Sequence, residues 1–471
     1  MPGLLVGIIL IASLLLVHFS LRARPLPEDR PLDVDEGLPL PEIGQASTVF
    51  SLTALFGAYF GIALLLGLPA LTGVAFGTAL GLFLIRYWIE AYKPNRFETF
   101  LVNVLRGDNR NVVVYALVIS VVQCLYATSE LLILREIAKV SFGVRPEHAS
   151  LLAVGIAIIG YFYVLFGGYM AVFRTDILQF FLVAVMAVTF SLFLFGQNLP
   201  TEWVTRLFPR PGYWEIPSLI GTSKALYFYH FIIGAIMGMG LLVGSPDTWK
   251  RVFLVSRRKG KIGLRFLTLV IVGVTPCLML MPFALTIGPI EDGEINAGIM
   301  FSKLLTNNYL FVVAVLGLVA SFLSAFNGAL LASVHIGLIL SRKQKRRKSE
   351  MPRFHWLMVT TIVTLFLLFV AFTSSGNPYL LGNLLLGAYS LIAGVQIGTS
   401  GNISKLRGNS LLWVYILGFV GWIFYLASKG FPEVATTYQI NTVPGGVMFF
   451  LISTIACQIL VRGGRKNARN S

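Results

Sequence analysis

Two carboxylates in this chain occupy places where a carboxylate needs a reason. Glu130 lies inside the apolar run Tyr126-Ala127-Thr128-Ser129-Glu130-Leu131-Leu132-Ile133-Leu134-Arg135. Asp176 opens another apolar run, following Gly167-Gly168-Tyr169-Met170-Ala171-Val172-Phe173-Arg174-Thr175 and preceding Ile177-Leu178-Gln179. A charge at the centre of a membrane helix costs about 3 kcal/mol on insertion scales, so Glu130 is a candidate for ion or substrate handling. Asp176 stands at the edge of its span. The plainer alternatives are local. Glu130 can pair with Arg135 or Lys139 near the end of its helix, and Asp176 can sit at a helix N-terminus beside Arg174. No metal-ligand cluster, phosphate loop or nucleophile–base arrangement stands out, so neither a cofactor nor enzymatic activity is expected. His230 and His335 read as span ends or polar packing. Tyr161, Phe162 and Tyr163, like Tyr227, Phe228 and Tyr229, read as helix packing and interfacial belt ahead of pocket lining.

The elements that carry these residues are long apolar helices. Hydrophobic residues make up 56% of the 471 positions and charged ones only 12%, against about 45–50% and about 25% in soluble domains. About 20 apolar residues span a hydrocarbon core of about 30 Å. On that measure about thirteen spans follow one another, near 3–21, 47–68, 70–92, 111–139, 149–170, 176–196, 224–246, 264–287, 308–340, 356–373, 377–397, 410–428 and 443–461. The expectation is one all-α, polytopic membrane domain covering 1–471, whose partners are the lipid bilayer and a small-molecule solute. Cys124, Cys277 and Cys457 all lie in apolar runs and suggest no disulfide framework.

The net charge of +16 does not call for nucleic acid, because of where the charge sits. With the N-terminus outside, the loops after odd-numbered spans hold Arg22 and Arg24, Lys93 to Arg110, Arg174, Lys250 to Arg265, Arg342 to Arg353, Lys405 and Arg407, and the tail from Arg462. The opposite loops hold few basic residues and carry Glu291, Asp292, Glu294 and Glu433. This is the positive-inside pattern, and it puts the C-terminus in the cytoplasm of a multi-pass protein of the plasma (inner) membrane. The first run, Pro2 to Ser20, has no basic residue ahead of it and reads as an uncleaved helix rather than a signal peptide.

Two spans look interrupted. Span two contains Gly57, Gly61 and Gly67 before Leu68-Pro69, and span seven contains Gly234, Gly238, Gly240 and Gly244 before Ser245-Pro246. Five spans separate them, an offset that inverts topology. Broken helices at matching places of two inverted halves point to a midplane binding site. Close helix packing on small residues is the competing explanation.

Several segments, in order, resemble the sodium:solute symporter family. Leu66-Gly67-Leu68-Pro69 looks like the end of its first core helix, and Lys93 to Gly107 like its next cytoplasmic segment. Gly167 to Gln179 resembles its Gly-Gly…Thr-Asp…Gln signature at a tight turn between two spans. Gly244 to Arg251 resembles the inner end of its sixth core helix, and Ser321 to Ala325 the Ser-Thr-Leu-x-Ser of its eighth. The resemblance implies a LeuT-like five-plus-five inverted repeat. Here that gives 3–21 as an extra N-terminal helix, 47–196 and 224–397 as the core repeats, and 410–461 as two extra C-terminal helices. It implies secondary active transport of a small solute by alternating access, with a proton-coupled or uncoupled carrier, or a non-transporting sensor or scaffold, as the rivals. It also implies a sodium site built from Gly57 and Phe60, or Ala54 and Gly57 in a shifted alignment, with Ser321 and the displaced Ser324. Asp176 matches the family's acidic residue near the inward ion exit. The second hydroxyl of the eighth-helix pair is replaced by Phe322, whose ring offers no oxygen, so sodium coupling is expected to be weak or absent.

The loop-charge alternation is testable directly. Reporter fusions at Gln344 and Ser471 are expected to read cytoplasm and one at Asp292 the outside. A cytoplasmic Asp292 would overturn the thirteen-span arrangement.

Overall fold

The computed structural model describes residues 73, 76–91, 109–141, 145–195, 223–244, 248–249, 312–313, 316–317, 320, 323–324, 326–333, 360–365, 369, 378–401, 406, 409–429 and 443–469. These form helices and turns, with no strand among them. We number the main helices α1 (Asn109–Ser141), α2 (Pro146–Phe195), α3 (Ser223–Val243), α4 (Pro378–Gly398), α5 (Ser410–Lys429) and α6 (Val443–Arg469). Ser410–Lys429 and Gly445–Gly463 are each long and apolar enough to cross a bilayer. Hydrocarbon offers backbone amides no water, so helices that satisfy them internally are the expected solution.

The centre of this architecture is α4. It packs on α1, α3, α5 and α6, and most extensively on α6. Its small residues make the room. A Cβ at Gly387 would collide with the Trp422 indole of α5, one at Gly394 with the Ser453 hydroxyl of α6, and one at Gly398 would lie 2.6 Å from Cys457 Cβ. On the outer faces, large apolar side chains stay exposed in helical stripes, as Ile452, Ile455 and Ile459 do on α6. Such stripes are the lipid-facing counterpart of the buried seams.

The segment 76–91, with Gly73 before it, lies parallel to α3. A Cβ at Gly73 would strike the Phe231 carbonyl, one at Gly77 the Ala235 carbonyl, and one at Gly81 would come within 3.3 Å of Met239 O. Matching steps of four on both helices bring backbone against backbone, the small-xxx-small geometry of membrane helix pairs. At one end of this pair the Trp88 and Trp249 rings stack at 5.3 Å. The Trp249 indole donates to Val243 O at 2.8 Å. Gly401, with φ of 70°, lies against Trp88. It closes α4 by donating to Gln396 O at 2.7 Å while Ser400 donates to Ile397 O at 2.9 Å, a Schellman cap. The ends of three spans whose following loops are all basic thus meet on one face.

Two expectations need correction. The interruption read into span seven is not present between Gly234 and Val243, because α3 runs unbroken there. Its later glycines are sites of close approach instead: Gly240 abuts Ala393 and Gly244 abuts Tyr389, both on α4. The matching interruption in span two lies outside the described residues. The tight turn at Gly167-Gly168 is also not a break in helical geometry, since α2 is one helical run of 50 residues. Straight, it would be about 75 Å long, over twice the hydrocarbon core. It is not straight. Gly160 lies against Phe326 and Asn327, and Met186 lies against Gly317. Those partners are about 14 Å apart along helical geometry, whereas residues 160 and 186 would be about 39 Å apart on a straight helix. The run is therefore bent between them, and Gly167-Gly168 is the small-residue pair available for it.

Glycines at these seams should behave oppositely to open ones. Gly77→Ala is expected to destabilise by about 1–3 kcal/mol through overpacking. Gly155→Ala, whose Cβ would meet nothing within 4 Å, should stabilise by about 0.5–1 kcal/mol. Thermal unfolding of both variants in detergent checks the contrast of sign.

Candidate functional site

Four polar side chains of α1 share one face. Tyr115, Gln123, Tyr126 and Glu130 recur at helical spacing, with Ile119 completing the stripe. From Tyr115 to Glu130 the stripe is about 22 Å long, most of a hydrocarbon core. It faces α4, which contributes Tyr389 and Gln396 two turns apart. Gln396 donates its amide to the Tyr115 hydroxyl. Gln123 Nε2 donates to the Tyr389 hydroxyl at 3.2 Å. These two pairs show that α1 and α4 run antiparallel, as an odd separation of spans requires. Further along, the Tyr126 ring meets the Tyr389 ring edge-on at 6.3 Å.

Glu130 ends the stripe. It is 5% exposed, and its carboxyl is hydrogen-bonded to the Tyr126 side chain. Its neighbours Ala127, Leu131, Leu132 and Leu134 are all buried. Glu130 is thus buried rather than exposed, while the Lys139 side chain lies outside the description. Arg135, five positions on, points about 140° away around the helix.

A second polar layer lies on another side of α1. Cys124 Sγ approaches Ser333 Oγ at 3.6 Å. Ser333 donates to Ala329 O at 2.9 Å. Nearby on the same helical segment, Ser324 is fully buried. Asn327 is 1% exposed and neither of its amide atoms has a hydrogen-bond partner. Asn327 Oδ1 sits 2.8 Å from where a Cβ on Gly160 would be. Next to Gly160, the Tyr161 hydroxyl bonds Thr361 Oγ1 at 2.9 Å. Thr364, one turn on, is buried with its hydroxyl unpaired, as are both amide atoms of Gln179 on α2. Buried polar groups are paired in the large majority of cases, so this collection is distinctive.

Of the residues singled out from sequence, Glu130 and Ser324 are placed with their side chains. Asp176 lies within α2, one position after Thr175, which is buried and donates to Val172 O at 3.1 Å; the Asp176 side chain is outside the description. Ala54, Gly57, Phe60, Ser321, Phe322 and His335 lie outside the described residues, as does the side chain of His230. Among the described residues no group of three or more His, Cys, Asp or Glu could hold a metal. Sequence reading missed Tyr115, Gln123, Tyr389, Gln396, Asn327 and Gln179. The first two were within reach, because residues fifteen and seven positions from Glu130 share its helix face.

This arrangement has known counterparts. No protein-family model matches the sequence, and a search of curated proteins finds no match. Solved structures do match. A Na+-coupled sialic acid symporter, in a substrate-bound outward-open state, aligns with a TM-score of 0.64 and 16% identity over 97% of each chain. MhsT in complex with L-phenylalanine aligns at 0.53 and 13% identity, over 88% of this chain and 98% of that one. MHP1, a nucleobase-cation-symport-1 family transporter in a closed conformation, aligns at 0.51 and 15% identity, over 89% and 92%. At these identities the likeness is one of fold. The chain has the helical LeuT fold of these membrane transporters.

The unpaired amide gives a stability prediction. Asn327→Leu keeps the volume and removes two orphaned polar atoms, so it should stabilise the protein by about 1–3 kcal/mol. A fall in the thermal midpoint would instead mean that the amide has a partner in solution.

Proposed function

We propose that this protein is a secondary transporter that moves a small solute across the membrane by alternating access, and that it has no enzymatic activity. The observation that carries this reading is the match to a sialic acid symporter over 97% of both chains at a TM-score of 0.64. Such breadth leaves little of the chain for another task. The ordered motifs resembling sodium:solute symporters support the same reading, as does a core that keeps several buried polar groups where hydrocarbon would favour none. The two core repeats, 47–196 and 224–397, rock against one another in this proposal, with the N-terminus outside and the C-terminus in the cytoplasm of a plasma (inner) membrane.

Ala54, Gly57, Phe60, Ser321 and Ser324 mark the region where a sodium ion would bind, and Asp176 the inward exit. The sialic acid symporter is Na+-coupled. This chain has Phe322 where the resemblance calls for a hydroxyl. A benzyl group fills the volume of an ion and its ligand without supplying an oxygen.

The deciding experiment is uptake by proteoliposomes across a panel of amino acids, sugars, sialic acid and nucleobases, with and without a sodium gradient. Uptake above that of protein-free liposomes for at least one solute is expected, and none for any would sink the reading. Uptake should persist when potassium replaces sodium, and Ser321→Ala should change the initial rate by less than about fivefold, corresponding to about 1 kcal/mol. Loss of uptake in both tests would show that Ser324 and first-helix carbonyls rebuild a sodium site.

A further inference from the structure

We propose that Glu130 is a proton-binding site, and that the protein couples its solute to the proton gradient through it. The coupling half rests on the transporter reading above; the proton site does not.

The argument starts from charge. Among the spans read from sequence, Glu130 is the acidic residue farthest from a span end. It is buried among Ala127, Leu131, Leu132 and Leu134. Among the described residues, no Lys, Arg or His of the other helices packed on α1 faces it. Helix α4 has no Asp, Glu, Lys, Arg or His, and α5 has only Lys429, its last residue, which is exposed. The sequence from 311 to 334 has none of them either. On α2 the described candidates are Glu147 and His148, both exposed at its start; the Arg174 and Asp176 side chains lie outside the description. The titratable groups that do face Glu130 are two phenols, Tyr126 from its own helix and Tyr389 from α4. Both are neutral hydroxyls at ordinary pH.

A buried carboxylate without a cation is costly, and the usual escape is to bind a proton. A neutral carboxyl bonded to a phenol has no such cost. Opening the site to water on either side of the membrane removes the penalty on the charged form, and the proton leaves. Alternating exposure therefore makes protonation follow conformation, which is what coupling requires. The proton comes from water on one side and returns to water on the other, so no other reactant is involved. An organic ammonium ion would also satisfy a carboxylate between two rings. The structure favours the proton, because Tyr126 already occupies the carboxyl and Gln123 holds Tyr389 in place at 3.2 Å.

The test has two arms. In the first, infrared difference spectra of the purified protein are recorded from about pH 5 to about pH 9, the range over which catalytic carboxyls are commonly tuned. A carbonyl stretch of protonated carboxylic acid should appear at the acid end and fade as pH rises. It should be missing in Glu130→Gln and shifted in frequency in Tyr126→Phe, which keeps the acid but removes its hydrogen bond. A band that survives Glu130→Gln, or a Glu130 band that does not move with pH, overturns the proton site. In the second arm, proteoliposomes loaded with a pH-sensitive dye receive the same solute panel. Solute entry should acidify the lumen in the wild type, and in Glu130→Gln the acidification should drop to the level of protein-free liposomes. Solute entry without acidification overturns the coupling. No entry of any solute overturns the transporter reading instead, and the infrared arm still decides whether Glu130 binds a proton.

Discussion

The structure depends on how closely α4 can approach its neighbours. In hydrocarbon there is little hydrophobic gain from bringing two apolar helices together, so association rests on van der Waals contact and on polar groups that need partners. Helix α4 meets that condition with Gly387, Gly394 and Gly398, each filled by a side chain of α5 or α6. Trp422, fully buried, is the largest of those fillers. It also contacts Phe449 of α6 edge-on at 5.4 Å. The two C-terminal helices are thereby wedged against one face of α4. On another face, Gly240 and Gly244 admit Ala393 and Tyr389. With three neighbours fixed at contact distance, the remaining face of α4 is held at a set height against α1. That height is what pairs Gln123 with Tyr389 and Tyr115 with Gln396.

The sequence carried the envelope of this fold clearly and its seams poorly. Alternating basic and acidic loops are a one-dimensional signal, and the structure agrees with their parity where it can: α1 and α4 are antiparallel, and Trp88, Trp249 and Gly401 share an end. Glycines were harder, because one residue type does three jobs. Gly234 to Gly244 read as a break and is a packing face. Gly73, Gly77 and Gly81 drew no attention and form the closest backbone contacts described. Gly167-Gly168 read as a turn between two helices and lies within one helical run. Deciding among these roles needs the partner helix, and the partner is often some 160 residues away in sequence.

Site residues divide along the same line. Glu130 was visible because a charge in an apolar run is costly wherever it lies. Its burial and its contact with Tyr126 depend on neighbours that the sequence does not mark. Tyr389, which joins it to Gln123 across 266 positions, carries no mark in sequence that separates it from the other tyrosines. Asn327 lies three positions after Ser324, a residue the family resemblance did point to, yet nothing local says that its amide is unpaired.

The polar groups of the core fall into two seams with opposite bookkeeping. Along α1 and α4 each amide nitrogen finds a phenol: Gln123 reaches Tyr389, Gln396 reaches Tyr115, and the carboxyl of Glu130 reaches Tyr126. Around the segment 323–333, amides and a hydroxyl are left over at Asn327, Gln179 and Thr364. Each orphan costs about 1–3 kcal/mol relative to an apolar residue of the same shape. A helix bundle that needed only stability would place Leu or Ile there, as it does at Leu323, Leu330 and Leu331 beside them. The first seam holds two helices in register, with Gln396 Oε1 left unpaired. The second leaves more donors and acceptors unpaired in a region that hydrocarbon would otherwise close, next to the serine that sequence resemblance associates with ion binding. The small residues at Gly160 and Gly317 keep the opposing chain close to these groups.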